Sequence, residues 1–202
     1  MVVPALHHAV VAPLRSALTE RLVLDPLGDD DLDELATIFA HRQVWEFEYG
    51  RGLTRSETKK FLERQMNRWG AFGFGGCGVR ESEQRELVGV VGLAVPLSFQ
   101  ELLPPVTIGW RFTPTCWGKG YASEAATAVL HQAFTTMALE SVGCATDAGN
   151  RRSVALAERL GMTVITQVRA RRDDGNGTVS ALLLQLARSD WLSRQRPGPT
   201  RT

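Results

Sequence analysis

Apolar side chains along this chain recur at two spacings, and the switch between them marks out its elements. After the acidic run Asp29, Asp30 and Asp31, residues Leu32, Leu35, Ala36 and Phe39 return at helical spacing, and acids suit the positive end of a helix dipole. Thr54 and Glu57 have capping-box spacing, which predicts a second helix with Phe61, Leu62, Met66 and Trp69 inside and a stop at Gly70. The broadest apolar face belongs to Tyr121, Ala125, Val129, Ala133 and Met137 together with Ala122, Ala126, Leu130 and Phe134. Its small alanines allow this central helix to lie close against a sheet. A fourth helix is predicted over 150–160, opened by Asn150 and ended by Gly161, with Met162 placed for a Schellman-type contact.

Between these helices, runs at 21–24, 72–79, 87–95, 106–112, 142–145, 163–170 and 178–186 read as strands. The run 87–95 is nearly all apolar, as expected of a strand covered on both faces. A charged turn at 80–86 and the Gly- and Asn-bearing turn at 173–177 predict antiparallel hairpins. The resulting order, β-α-α-β-β-β-α-β-α-β-β, predicts an α/β (α+β) fold: a mixed, mostly antiparallel sheet with helices on both faces.

Composition narrows the picture. The chain has 202 residues, 44% hydrophobic and 22% charged, which suits one globular domain, expected over 19–192. Residues 1–18 read as a loosely ordered leader, and the Pro-rich 193–202 as a flexible tail. A net charge of +1 gives no basic footprint for nucleic acid. No apolar run approaches the roughly 20 residues of a membrane span. Cys77, Cys116 and Cys144 lie far apart in apolar surroundings, as reduced thiols of a cytoplasmic protein do, and His7 and His8 have no ligand pattern around them, so no metal is expected.

The sharpest local signal is the run Trp117, Gly118, Lys119, Gly120, Tyr121, Ala122, placed between a strand and the central helix. Such a string also serves as a plain turn. As a ligand site, its glycines let the main chain approach an anion, and the first free N–H groups of the helix point at a diphosphate.

With Thr19 to Leu24, with Ile108, Gly109 and Trp110, and with Asn150 and Ser153 running into Glu158 to Met162, this motif resembles the GNAT family of acetyl-CoA-dependent N-acetyltransferases, as does Trp191 near the end. The likeness leans toward the branch of ribosomal-protein N-terminal (alanine/serine) acetyltransferases. It implies acetyl-CoA as co-substrate, with the diphosphate on 118–123 and the pantetheine arm along Phe112 and Thr113. Trp117, Lys119, Gly120, Tyr121, Ala122, Ser123 and Asn150 would complete the cofactor contacts. The acceptor implied is a small-molecule amine or a protein N-terminus, and the protein a monomer or homodimer.

Acetyl transfer to an amine needs a donor for the developing oxyanion and a proton for the departing thiolate. By resemblance, a main-chain N–H near Phe112 serves the first. Where many relatives place a tyrosine for the second, this chain has Ala157, so Ser153 is the local substitute, with Asn150 beside it. Asn150 is equally a helix cap. Trp45, Phe47 and Tyr49 beside the carboxylates Glu46 and Glu48 suggest an aromatic and acidic wall for a cationic amine, or simple packing between helices, with Trp45, Glu46 and Tyr49 as the expected contacts. Glu46, Glu48, Glu101 and Asp147 are the general-base candidates, and Glu124 reads as a positioning residue. A non-catalytic acyl-CoA sensor is the competing function. An oxidoreductase is disfavoured because the glycine loop follows antiparallel strands.

Overall fold

The sheet is built outward from its most apolar strand. In the computed structural model, which describes residues 12–171 and 177–195, β4 (Leu87–Ala94) pairs antiparallel with β3 (Gly76–Glu81) and with β5 (Thr107–Phe112). β4 sends Val88, Val91 and Leu93 into one hydrophobic cluster and Leu87 and Val90 into another, so its unbroken apolar run is explained by cover on both faces. The larger cluster lies under α3 (Tyr121–Thr135) and α4 (Arg151–Leu160); the smaller lies under α1 (Leu32–Phe39) and α2 (Arg55–Phe72). Ala125, Ala126 and Ala133 of α3 are wholly buried, which is how the central helix sits so close to the strands.

With β1 (Ala17–Leu18), β2 (Leu22–Pro26), β6 (Ser141–Asp147), β7 (Thr163–Arg171) and β8 (Thr178–Ala187), the described residues form one sheet in the order β1-β2-β3-β4-β5-β6-β8-β7. Neighbours are antiparallel except β5 and β6. That parallel contact consists of a single register pair, Thr107 with Gly143. Past it the two strands part, and a cleft opens at the C-terminal end of β5.

Several expectations shift. Residues 12–18 are not a loose leader: Leu14 is buried, its N–H donates to Gly73 O at 2.9 Å, and β1 pairs with β2. The capping box of α2 forms as predicted, Thr54 N–H donating to Glu57 Oε2 at 2.8 Å, but the helix runs through Gly70 to a left-handed Gly73. Gly70 has open space around it and costs only its propensity of about 1 kcal/mol, so the true stop is the glycine with positive φ. The next strand therefore starts at Gly76, not 72. Residues 193–195 belong to α5 (Arg188–Gln195), which the sequence reading left out; Trp191 anchors it, 5.8 Å from the ring of Phe134. The turn residues 172–176, the segments 1–11 (with His7 and His8) and 196–202 lie outside the described residues.

All three cysteines are buried free thiols. Burial pushes Cys77 and Cys144 up to about 12, which removes them as nucleophiles. Among the described residues no helix is long and apolar enough to cross a membrane, and no cluster of His, Cys, Asp or Glu is arranged to hold a metal.

Candidate active site

Gly118 and Gly120 carry φ of 80° and 84°, a backbone region that side-chain-bearing residues rarely adopt, and this double reversal turns the chain from the end of β5 into α3. Gly120 is the cap of α3 and has no side chain with which to satisfy the helix's first donors. Glu124 is the first residue whose N–H is taken, by Gly120 O at 3.0 Å. The amides of Tyr121, Ala122 and Ser123 are thus left for a ligand, at the positive end of a 15-residue helix.

The loop is held from behind. Glu124 accepts from Thr19 Oγ1 at 2.6 Å, from Arg21 N–H at 2.9 Å and from Arg21 Nε at 2.8 Å, while Arg21 Nη1 donates to Lys119 O at 2.9 Å. Thr19, Arg21 and Glu124 therefore brace the glycine turn. Burial pushes the Glu124 carboxyl up, but the bonds from Thr19 and Arg21 outweigh it and hold the group below its ordinary range. A depressed carboxyl stabilises the fold above its unfolded value of about 4.3, and that contribution is lost as pH falls through the lower folded value. Thermal unfolding followed from pH 6 downward should show a steeper loss of midpoint in the natural protein than in Glu124→Gln.

Phe112, Trp117, Gly118, Gly120, Tyr121, Ala122, Ser123, Asn150 and Ser153 all line one cavity of about 440 Å³. Two predicted cofactor residues do not. Thr113 donates its N–H to Val88 O beside the sheet ladder, and the Lys119 ammonium lies over the Tyr121 ring, 5.8 Å from its centre. Trp117 donates its indole N–H to Phe112 O at 3.0 Å and carries the Arg152 guanidinium 3.9 Å over its ring, so it ties β5, the loop and α4 together.

Because Thr113 N–H points into β4, strand alternation turns the N–H and C=O of Phe112 to the opposite edge, where β6 has already departed. The carbonyl is occupied by Trp117; the N–H faces the cleft. On α4, Asn150 Oδ1 caps the helix by accepting Ser153 N–H at 3.2 Å, and the Schellman stop forms, Met162 N–H donating to Ala157 O at 3.0 Å. Ala157 is wholly buried in the core, so its side chain faces away from the cavity; Arg152, Ser153, Ala155, Leu156 and Arg159 are the α4 residues that line it. Ser153 is the one hydroxyl on that face.

A second cavity, also about 440 Å³, opens on the α2 side of the sheet. Phe47, Glu48, Trp110 and Arg111 line both cavities and form the wall between them. Glu48 and Arg111 are ion-paired there, and the Arg111 guanidinium stacks 4.7 Å over Trp45. Of the expected acceptor wall, Phe47 and Glu48 line both cavities, whereas Trp45, Glu46 and Tyr49 line neither. Trp45 is 6% exposed and packs inward on Phe39, Tyr49 and Phe61, while its neighbours Phe47 and Glu48 turn to the site. Of the four base candidates, Glu48 and Asp147 reach the second cavity; Glu46 and exposed Glu101 do not. Gln65 and Arg68 of α2 also line it, and nothing in the sequence pattern singled them out.

An uncapped helix start beside the free edge of β5, with a second cavity across the wall, suits an acyl-CoA-dependent transferase. Residues 21–163 match the model of the acetyltransferase (GNAT) domain, and the chain belongs to that family. It is an acyltransferase that uses acetyl-CoA. Among its relatives, the uncharacterized N-acetyltransferase YoaA of Bacillus subtilis is 22% identical over 71% of this chain and 80% of its own length. The FsC-acetyl coenzyme A-N(2)-transacetylase of Aspergillus fumigatus is 28% identical over 91% of this chain and 81% of its own. Spermidine N-acetyltransferase from Vibrio cholerae, solved with CoA and spermine, superposes with a TM-score of 0.69 at 18% identity, covering 86% of this chain and 99% of that one.

Proposed function

We propose that this enzyme acetylates a primary amine by direct attack within a ternary complex. The observation that carries the reading is the convergence, in one cavity, of three uncapped α3 amides, the open edge of β5 at Phe112, and Asn150 and Ser153 of α4. The residues fit acetyl-CoA: the amides of Tyr121, Ala122 and Ser123 suit its diphosphate, and open space at Gly118 lets it approach the backbone. When bound, the thioester supplies the acyl carbon and a thiol leaving group. Phe112 N–H is placed to stabilise negative charge on the acyl oxygen, and Ser153 to return a proton to the sulfur. Asp147 and Glu48 stand on the acceptor side, where the amine loses its proton. An α-amino group, in a small molecule or at a protein N-terminus as in the ribosomal-protein branch, is partly neutral near pH 8 and needs little further activation.

The test is thiol release from acetyl-CoA against a panel of primary amines. Tight acetyl-CoA binding with no release from any amine would return the sensor reading. Asn150→Ala is expected to lower stability by about 1 kcal/mol through the lost cap and to weaken acetyl-CoA binding several-fold. An unchanged dissociation constant in calorimetry would confine Asn150 to capping.

A further inference from the structure

The second cavity holds two arginines in unlike settings. Of the two arginines lining it, Arg111 is neutralised by Glu48, whereas Arg68 has no carboxylate within ion-pairing distance among the described residues. Arg68 is half-buried, and its Nη1 donates at 3.3 Å to Gln65 Oε1. Gln65 is itself fixed: it is 5% exposed and accepts Gly76 N–H at 3.0 Å with that same oxygen. A long, flexible cation is thus held at the wall of a pocket by a buried amide whose own position is set by the β3 backbone. Burial, with the like charge of Arg64, lowers the Arg68 pKa from its ordinary value, the signature of a cation kept from water without an anion beside it. A guanidinium so placed stays charged, and its planar fork suits a carboxylate.

At the β6 end, the same cavity is lined by Asp147, whose Oδ1 accepts Gly149 N–H at 2.7 Å. The apolar side chains of Phe61 and Val90 lie among the lining residues as well. We infer that the acceptor is a small amine that also bears a carboxylate, its amine directed to the Asp147 end by the cleft and its carboxylate received by Arg68. This rests on the transferase reading above and specifies its substrate class. A polyamine would bring a second positive charge toward Arg68, so it is the opposite chemistry.

The experiment uses the full chain, acetyl-CoA and matched probes: L-leucine against leucinamide, L-phenylalanine against phenylalaninamide, 6-aminohexanoate against hexylamine, and spermidine. Thiol release gives kcat and KM for each, and calorimetry gives the acetyl-CoA affinity of every variant. At least one carboxylate probe should exceed its uncharged partner about 10-fold in kcat/KM, the scale of one charge-assisted contact. In Arg68→Gln, KM for that acid should rise about 10- to 100-fold with kcat within about 3-fold, because a ground-state contact is lost. Arg68→Lys should recover part of the loss, and acetyl-CoA affinity should not move in either variant, since Arg68 lies outside the cofactor cavity. Preference for the uncharged amines or spermidine, or an acid-to-amide ratio that Arg68→Gln leaves unchanged, would overturn the inference while leaving the transferase intact. Loss of release with every amine would overturn both.

Discussion

Gly118→Asp is expected to weaken acetyl-CoA binding at least about 100-fold while leaving the fold in place. Nothing lies within 4 Å of where a Cβ would stand at Gly118, so the protein alone has room for the new side chain. Aspartate is also among the residues that best tolerate φ of 80°. On the proposed reading, that room belongs to the diphosphate. A carboxylate there would occupy the approach to the α3 amides and set a negative charge against the diphosphate, in a site whose attraction is electrostatic and built from main chain. Calorimetric titration with acetyl-CoA and with CoA reads the loss, and far-UV circular dichroism with thermal melting separates it from misfolding. Binding within about threefold of the natural protein would mean that the diphosphate does not sit on this turn, because one like charge at contact range in a partly desolvated site exceeds 1 kcal/mol.

Trp191→Ala should lower stability by about 3–5 kcal/mol. Trp191 is 3% exposed, touches Phe134 of the central helix, and is the buried residue of α5. Removing it takes out the largest apolar surface that α5 buries and leaves a void against α3. For a domain of this size the midpoint of thermal unfolding should fall by about 10 °C. A drop of under about 3 °C would show that α5 contributes little to the cooperative unit.

What the chain disclosed in advance was whatever local chemistry determines. The capping box at Thr54 and Glu57, the Asn150 cap, the Met162 stop and the broad face of α3 are written in residues a few positions apart, and each formed. Gly70 misled because a mid-helix glycine and a terminal one look alike until φ is known. α5 was missed because it has one buried residue and too short an apolar stripe to show a period. The glycine turn was legible since two closely spaced glycines and a helix start nearly define it. The second cavity was not: Arg68 and Gln65 come from α2, Asp147 from β6, and Glu48 from a turn, and only the sheet brings them together. In the aromatic run 45–49, which side chains face inward depends on contacts with Phe39 and Phe61 that periodicity does not reveal.

The meeting of β5 and β6 at one residue pair divides the sheet into two leaves, β1 to β5 and β6 to β8, stitched at Thr107 and Gly143. Whatever lies in the gap rests on both leaves, with Phe112 on one side and Asn150 and Ser153, just beyond the end of β6, on the other. A molecule bound there would bridge the seam and tie the two leaves together at a place where the backbone does not.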